Sequence, residues 1–174
     1  MGLLKSIYRF FNKPQKYIIT IYAPLTGEVH DLTTVSDIVF SDLILGDGIA
    51  IAPSLEQNEL LSPTEGIIKR LYQTQHAIII ENPFGADIFV HVGFNTLNLR
   101  GRYFSSLVSV NEEVELTTPL LNIDFKSIIH TGIEIMTPVV VTNLGSEVQI
   151  INKAPVGSTV IAGESPIFQV VIEK

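Results

Sequence analysis

The sequence predicts an all-β protein, an antiparallel β-sandwich or barrel with a few short helical turns. Three observations carry this. Short runs rich in Val, Ile, Thr and aromatic residues recur from Ile18 to Ile172, the composition of strands. Gly, Pro and Asn clusters separate them at the spacing of a sandwich or barrel. Asn82-Pro83-Phe84-Gly85 joins two of the runs as a hairpin. A length of 174 residues, 46% apolar and 17% charged, suits one compact domain with a sizeable core.

In chain order, residues 1–17 form a separate tail and residues 18–174 the body. On a helix Leu3, Leu4, Ile7, Tyr8 and Phe11 make an apolar stripe, with Lys5, Ser6, Arg9 and Asn12 towards the other side and Pro14 as a stop. A short basic amphipathic helix of this kind suits an anionic membrane surface; the alternative is a tail disordered in water or folded back on the body. Ile18–Ala23 is the first strand, turned by Pro24–Gly27 into Glu28–His30. A helical turn is expected near Thr34–Phe40, and Gly46-Asp47-Gly48 reads as a tight turn before the strand Ile49–Ala52. Ile67–Leu71 is a strand running towards the hairpin. Further helical turns are expected at Phe104–Val108 and Asp124–Thr131, and strands at Pro138–Thr142, Val148–Ile151 and Ile167–Ile172.

The hairpin carries the chemistry. His76–Glu81 leads into the turn and Ala86–Gly93 leaves it. If Asn82 faces Gly85, paired residue numbers sum to 167, so His76 lies directly opposite His91 on one face. A bulge at Gly85 would shift the pairing by one residue and still leave the rings within reach. On the unshifted register Thr74 opposes Gly93, and Ile78 and Phe89 supply apolar walls. Neutral imidazole is a nucleophile through one nitrogen and a donor through the other. Two of them can divide phosphoryl transfer, one accepting the group while the other, with a hydroxyl and backbone N–H groups, donates to its oxygens. Satisfied structural histidines are the bland alternative.

Other chemistries fit less well. A zinc enzyme needs three protein ligands where only two histidines converge, so a zinc ion at His76 and His91 would have to be shared with a second protein. No Gly-x-Ser-x-Gly marks an activated serine, and Gly46-Asp47-Gly48 lacks the Lys of a phosphate loop. His30 and His130 receive no role. Cys is absent, which removes disulfides and thiolate chemistry and suits a reducing cytoplasm. No apolar run is long enough to span a bilayer, and the N-terminus lacks a secretory pattern. The net charge of −7 divides unevenly: residues 1–27 carry four bases and no acid, the remainder seven bases and eighteen acids. An acidic body argues against nucleic-acid binding and suits partners with basic surfaces.

The run Gly85-Ala86-Asp87-Ile88-Phe89-Val90-His91-Val92-Gly93-Phe94-Asn95-Thr96-Leu97 resembles the active-site signature of the glucose-type enzyme IIA proteins of the bacterial sugar phosphotransferase system. Ala23–Val29, Val39-Phe40 through Ile51, Thr74–Ala77 and Thr137–Asn143 agree with the same family in order, so the resemblance covers most of the chain. It implies an antiparallel β-sandwich with a shallow apolar face and no cofactor. His91 matches the histidine phosphorylated on Nε2 by the small carrier HPr. His76 matches its stabilising neighbour and Thr74 the adjacent hydroxyl, with Gly93 completing the reacting group. Asp37, Val39, Phe40, Ile44, Leu45, Tyr72, Ile78, Phe89, Asn95 and Leu97 match the partner-docking face. Asn95 stands where relatives usually carry Asp, and Arg100-Gly101-Arg102-Tyr103 is more basic than its counterparts.

The same resemblance implies passage of the phosphoryl group to the cysteine of a sugar-specific IIB domain. With no cysteine in the chain, that step occurs in trans, to a membrane permease IIBC component on another polypeptide. Adenylate cyclase, glycerol kinase and sugar permeases are implied as regulatory targets. The expected location is the cytoplasm, with the tail at the inner membrane face. The alternative is a regulatory binding protein that uses the same apolar face without being phosphorylated.

Overall fold

The computed structural model describes residues 15–174, so the amphipathic helix expected at residues 3–11 lies outside the described residues. Among the described residues fourteen strands, all paired antiparallel, form one eight-stranded sheet and two three-stranded sheets. In chain order they are β1 (Lys16–Tyr22), β2 (Gly27–His30), β3 (Asp47–Pro53), β4 (Glu59–Leu61), β5 (Gly66–Leu71), β6 (Ala77–Glu81), β7 (Asp87–His91), β8 (Phe104–Ser106), β9 (Glu113–Val114), β10 (Pro119–Ile123), β11 (Thr137–Val141), β12 (Val148–Ile151), β13 (Thr159–Val160) and β14 (Pro166–Glu173). The large sheet has the order β13-β2-β3-β11-β7-β6-β5-β9, and β1-β14-β12 and β4-β10-β8 form the small ones. Strand β1 starts at Lys16, two residues before the expected edge of the body. No helix among the described residues is long and apolar enough to cross a membrane.

The large sheet is apolar on both faces at its centre. One face sends Ile49, Ile51, Ile78, Ile80, Ile88, Val90, Val139 and Val141 into the main core, together with Ile21, Phe168 and Phe125. The other presents Ala50, Ala77, Phe89 and Val140, which pack with Leu32, Phe40 and Phe94 in a second, smaller core. Double burial explains why β11 is Thr-Pro-Val-Val-Val, every residue buried, rather than alternating with polar residues. Gly48 lies in the same sheet; a Cβ there would sit 2.0 Å from the Val139 carbonyl oxygen. At Gly46, with φ of +136°, it would lie 1.9 Å from the Val141 carbonyl oxygen. Gly46-Asp47-Gly48 is thus no tight turn: Asp47 and Gly48 already belong to β3, and the glycines let β3 approach β11.

Among the described residues two short helices and two 3-10 turns lie outside the sheets. The first turn, Leu32–Thr34, is capped by Asp31, and helix α1 (Ile38–Ser41) by Asp37, whose carboxylate accepts from the Val39 N–H at 2.9 Å. Helix α2 (Phe125–His130) is capped by Asp124 and ends at His130. These match the expected turns near Thr34–Phe40 and Asp124–Thr131. The helical turn expected at Phe104–Val108 is instead strand β8, paired with β10 through Phe104↔Ile123. His30 is half-buried, with Nε2 3.4 Å from Glu28.

Candidate functional site

The hairpin register decides where the site falls. Gly85 adopts φ of +94°, its N–H bonds the Asn82 carbonyl at 2.8 Å, and the Asn82 N–H bonds the Ala86 carbonyl at 2.8 Å. Paired numbers across β6 and β7 consequently sum to 168: Ala77↔His91, Ile79↔Phe89, Glu81↔Asp87. This is the bulged register, in which Gly85 supplies the left-handed residue. The exact opposition of His76 and His91 is therefore corrected. His76 precedes β6, in the turn between β5 and β6, where its carbonyl accepts from the Val92 N–H at 2.8 Å.

The rings nevertheless meet. His76 and His91 lie 4.8 Å apart between ring centres and 83° between planes, an edge-to-face pair. The chain around the β5–β6 turn achieves this without Gly or Pro. Tyr72 N–H bonds the Ala77 carbonyl at 3.1 Å, Gln75 N–H bonds the Tyr72 carbonyl at 2.7 Å, and Gln75 takes φ of +54°. Its side-chain oxygen accepts from the Ser106 N–H at 2.6 Å. Thr74 Oγ1 then stands 2.5 Å from His76 Nδ1. The Arg100–Tyr103 segment backs this turn: Arg100, Gly101 and Tyr103 all have positive φ, and a Cβ on Gly101 would lie 3.8 Å from the Thr74 carbonyl oxygen.

Aromatic rings enclose the pair. Phe40 and Phe89 lie 5.4 and 5.8 Å from the His91 ring, and Tyr72 lies 5.8 Å from both His76 and Phe89. The ladder between β7 and β11 stops at Val90↔Val139. The next pair would set His91 against Pro138, which has no N–H to give.

Burial of the apolar surroundings disfavours charge on both rings. His91 falls from 6.5 to about 4, chiefly through burial and then through His76, against opposing contributions from the Gly93 backbone and Asp37. His76 is also lowered by burial. Both are neutral at physiological pH. Nδ1 of His91 is buried on the side of the Gly93 backbone, and Nδ1 of His76 is engaged by Thr74. The Nε2 atoms are thus the ring nitrogens left for an incoming group.

Of the residues expected at the docking face, Ile44, Asn95 and Leu97 are exposed, and Leu45 is at its margin. Asp37, Val39 and Tyr72 are half-buried. Phe40 and Phe89 are 3% and 4% exposed and support the rings from beneath. Ile78 is a correction: the one-residue shift turns it to the opposite face, fully buried in the main core, and half-buried Ile79 takes its place. The Thr74–Gly93 pairing is a second correction, since on the shifted register Gly93 no longer faces Thr74. With φ of +70°, a Cβ there would lie 2.7 Å from the Glu134 carbonyl oxygen and from Thr96 Cγ2. Asn95, at φ of +60°, occupies a left-handed position that Asn tolerates better than most residues. Exposed Ile38, beside the capping Asp37, extends the apolar rim beyond the expected residues; its only sequence signal is its place in the apolar run before Phe40. Among the described residues no three His, Asp or Glu side chains gather as metal ligands.

A β-sandwich that sets paired neutral imidazoles on one face of its large sheet has the groups that phosphoryl transfer uses. A sequence model of the family described as phosphoenolpyruvate-dependent sugar phosphotransferase system, EIIA 1, matches residues 19–146. A glucose-specific EIIA component from Oceanobacillus iheyensis is 32% identical over 97% of this chain and 99% of its own length. A glucose-specific EIICBA component from Staphylococcus carnosus is 41% identical over 71% of this chain, which spans only 18% of that relative. The glucose permease IIA structure from Mycoplasma capricolum superposes with a TM-score of 0.78 at 31% identity, covering 91% of this chain and 97% of that one. The chain belongs to this EIIA family and is a phosphotransferase component of the sugar system.

Proposed function

We propose that the protein is a phosphocarrier that takes a phosphoryl group from phospho-HPr on His91 Nε2 and passes it to the cysteine of a sugar-specific IIB domain. The edge-to-face contact of two neutral imidazoles at 4.8 Å is the observation that carries this reading. A protonated His91 has no lone pair on Nε2; burial holds the ring neutral, and the tautomer that reacts carries its one proton on Nδ1 and the lone pair on Nε2. In the first step the bond from His91 Nε2 to phosphorus forms as the donor's nitrogen–phosphorus bond breaks, through a loose, trigonal phosphoryl group. The donor nitrogen leaves with the bonding pair. In the second step the thiolate displaces His91 in the same way.

His76 acts as a donor to the phosphoryl oxygens. If the Thr74 hydroxyl donates to Nδ1, the neutral His76 ring carries its proton on Nε2 and can deliver that hydrogen bond. Catalysis is then mostly positioning and charge stabilisation. The exposed apolar side chains Ile38, Ile44 and Leu97 form the rim on which partners dock in turn. The membrane IIBC component is the acceptor that this reading requires, since the chain has no cysteine of its own.

Incubation of the purified protein with phosphoenolpyruvate, enzyme I and HPr tests the reading. Acid-labile phosphate is expected on the wild type and absent from His91→Ala, while His76→Ala folds normally and is transferred to and from more slowly. An unlabelled wild type refutes the carrier and favours a regulatory binding protein using the same face.

A further inference from the structure

We propose that Arg70 is a positioning residue for the histidine pair, acting through Tyr72. The inference rests on the phosphocarrier reading for its kinetic consequence and on the sheet geometry for its mechanism. Strand β5 carries a bulge between Ile68 and Arg70: Ile68 pairs with Ile80, whereas Arg70 pairs with Ile79. Without the bulge Lys69 would oppose Ile79 and Arg70 would oppose Ile78, whose side chain enters the main core. The extra residue instead puts Arg70 in the row of Ile79 and Phe89, on the face that bears His91. A β-bulge re-aims a side chain in this way, and bulges recur beside active sites.

The two cations at the bulge have different partners. Lys69 is held by Asp87 at 2.8 and 2.9 Å and by Glu81 at 2.8 Å. Arg70 makes no ion pair among the described residues, and residues 1–14 contain no acid. Its guanidinium lies over the Tyr72 ring, with Cζ 4.6 Å from the centre. Tyr72 in turn touches His76 edge-on, at 5.8 Å and 63°, and Phe89 at 5.8 Å. One ring therefore has a cation on it while it forms a wall for the donor histidine and for the phenylalanine under His91. Arg70 fixes Tyr72, and Tyr72 fixes the spacing of the two imidazoles.

Arg70→Met removes the cation and keeps much of the stem; Arg70→Lys keeps a cation. Transfer from phospho-HPr and the NMR titration of His76 are followed for these variants, for Tyr72→Phe and Tyr72→Leu, and for the Arg70→Met/Tyr72→Leu double variant. Loss of an exposed cation–π contact corresponds to about a two- to fivefold change. Arg70→Met should lower the maximal transfer rate by that factor with KM unchanged and the thermal midpoint lowered by no more than about 2–4 °C, and raise the His76 titration midpoint. Arg70→Lys and Tyr72→Phe should preserve most of both properties. Arg70→Met should add nothing in the Tyr72→Leu background. An equal effect there, an effect confined to KM, or no effect on either readout overturns the proposal. If the wild type accepts no phosphate, the phosphocarrier reading fails, while the His76 titration still tests the Arg70–Tyr72–His76 arrangement.

Discussion

Acidification is the most direct probe of the environment of His91. The ring ordinarily titrates at 6.5 and is pushed down to about 4 in the folded protein. Between these values the unfolded chain binds a proton that the folded one does not, so stability falls as pH falls. The effect is absent well above 6.5 and complete below about 4. From pH 7 to pH 5 the single-site linkage amounts to about 2 kcal/mol, before coupling to His76 is considered. In a chain of this size that corresponds to about 4–8 °C in thermal midpoint. Carboxylates also contribute over this interval, so the informative quantity is a difference. His91→Gln should lose less thermal stability than the wild type between pH 7 and pH 5, by about those 4–8 °C. NMR titration should place the His91 midpoint far below 6.5. A midpoint near 6.5, with parallel losses in wild type and variant, would refute the reasoning and leave the ring a mixture of charged and neutral forms at neutral pH.

Two further outcomes test the supports of the pair. Gly93→Ala sets a Cβ 2.7 Å from the Glu134 carbonyl oxygen at φ of +70°; the left-handed backbone alone costs about 1–2 kcal/mol. Urea unfolding should show at least that loss, and an unchanged midpoint would mean that the Glu134–Ile135 segment before β11 yields freely. Thr74→Val removes the hydroxyl 2.5 Å from His76 Nδ1, worth about 0.5–1.5 kcal/mol as a hydrogen bond. Transfer measured with phospho-HPr should slow by about two- to tenfold, with Thr74→Ser close to wild type; equal rates for Val and Thr would remove Thr74 from the mechanism.

Much of this site was legible because turn chemistry fixes position. Asn82, Pro83 and Gly85 mark the hairpin, and Gly85 in its left-handed conformation selects the shifted register. One residue of shift was enough to turn Ile78 inward and put Ile79 in its place. The β5–β6 turn was hidden because Gln73-Thr74-Gln75-His76 contains no Gly, Pro or Asn. Its shape comes from Gln75 at positive φ and from the Ser106 hydrogen bond, a partner 31 positions away. Strands β4, β8, β9 and β13 have only two or three residues each, too few for an alternating pattern. Strand β10 begins with Pro119, a position at which proline is tolerated because it need not donate to the ladder. Glycines at 46 and 48 looked like turn positions, but the atoms they make room for are backbone atoms of β11 and the residue after it.

The burial of Phe40 separates two kinds of inheritance. Phe40 is the one buried residue of α1, set into the second core against Phe89 and Phe94. Its neighbour Ile38 is 65% exposed, and Ile44 and Leu97 are 67% and 62% exposed. Exchanges at such exposed positions usually leave stability within about 0.5 kcal/mol, whereas loss of a buried Phe costs about 3–5 kcal/mol. On the proposed phosphocarrier reading, lineages can therefore diverge in the partners they recognise by rewriting Ile38, Ile44 and Leu97, while the imidazoles and the rings beneath them are inherited as a block.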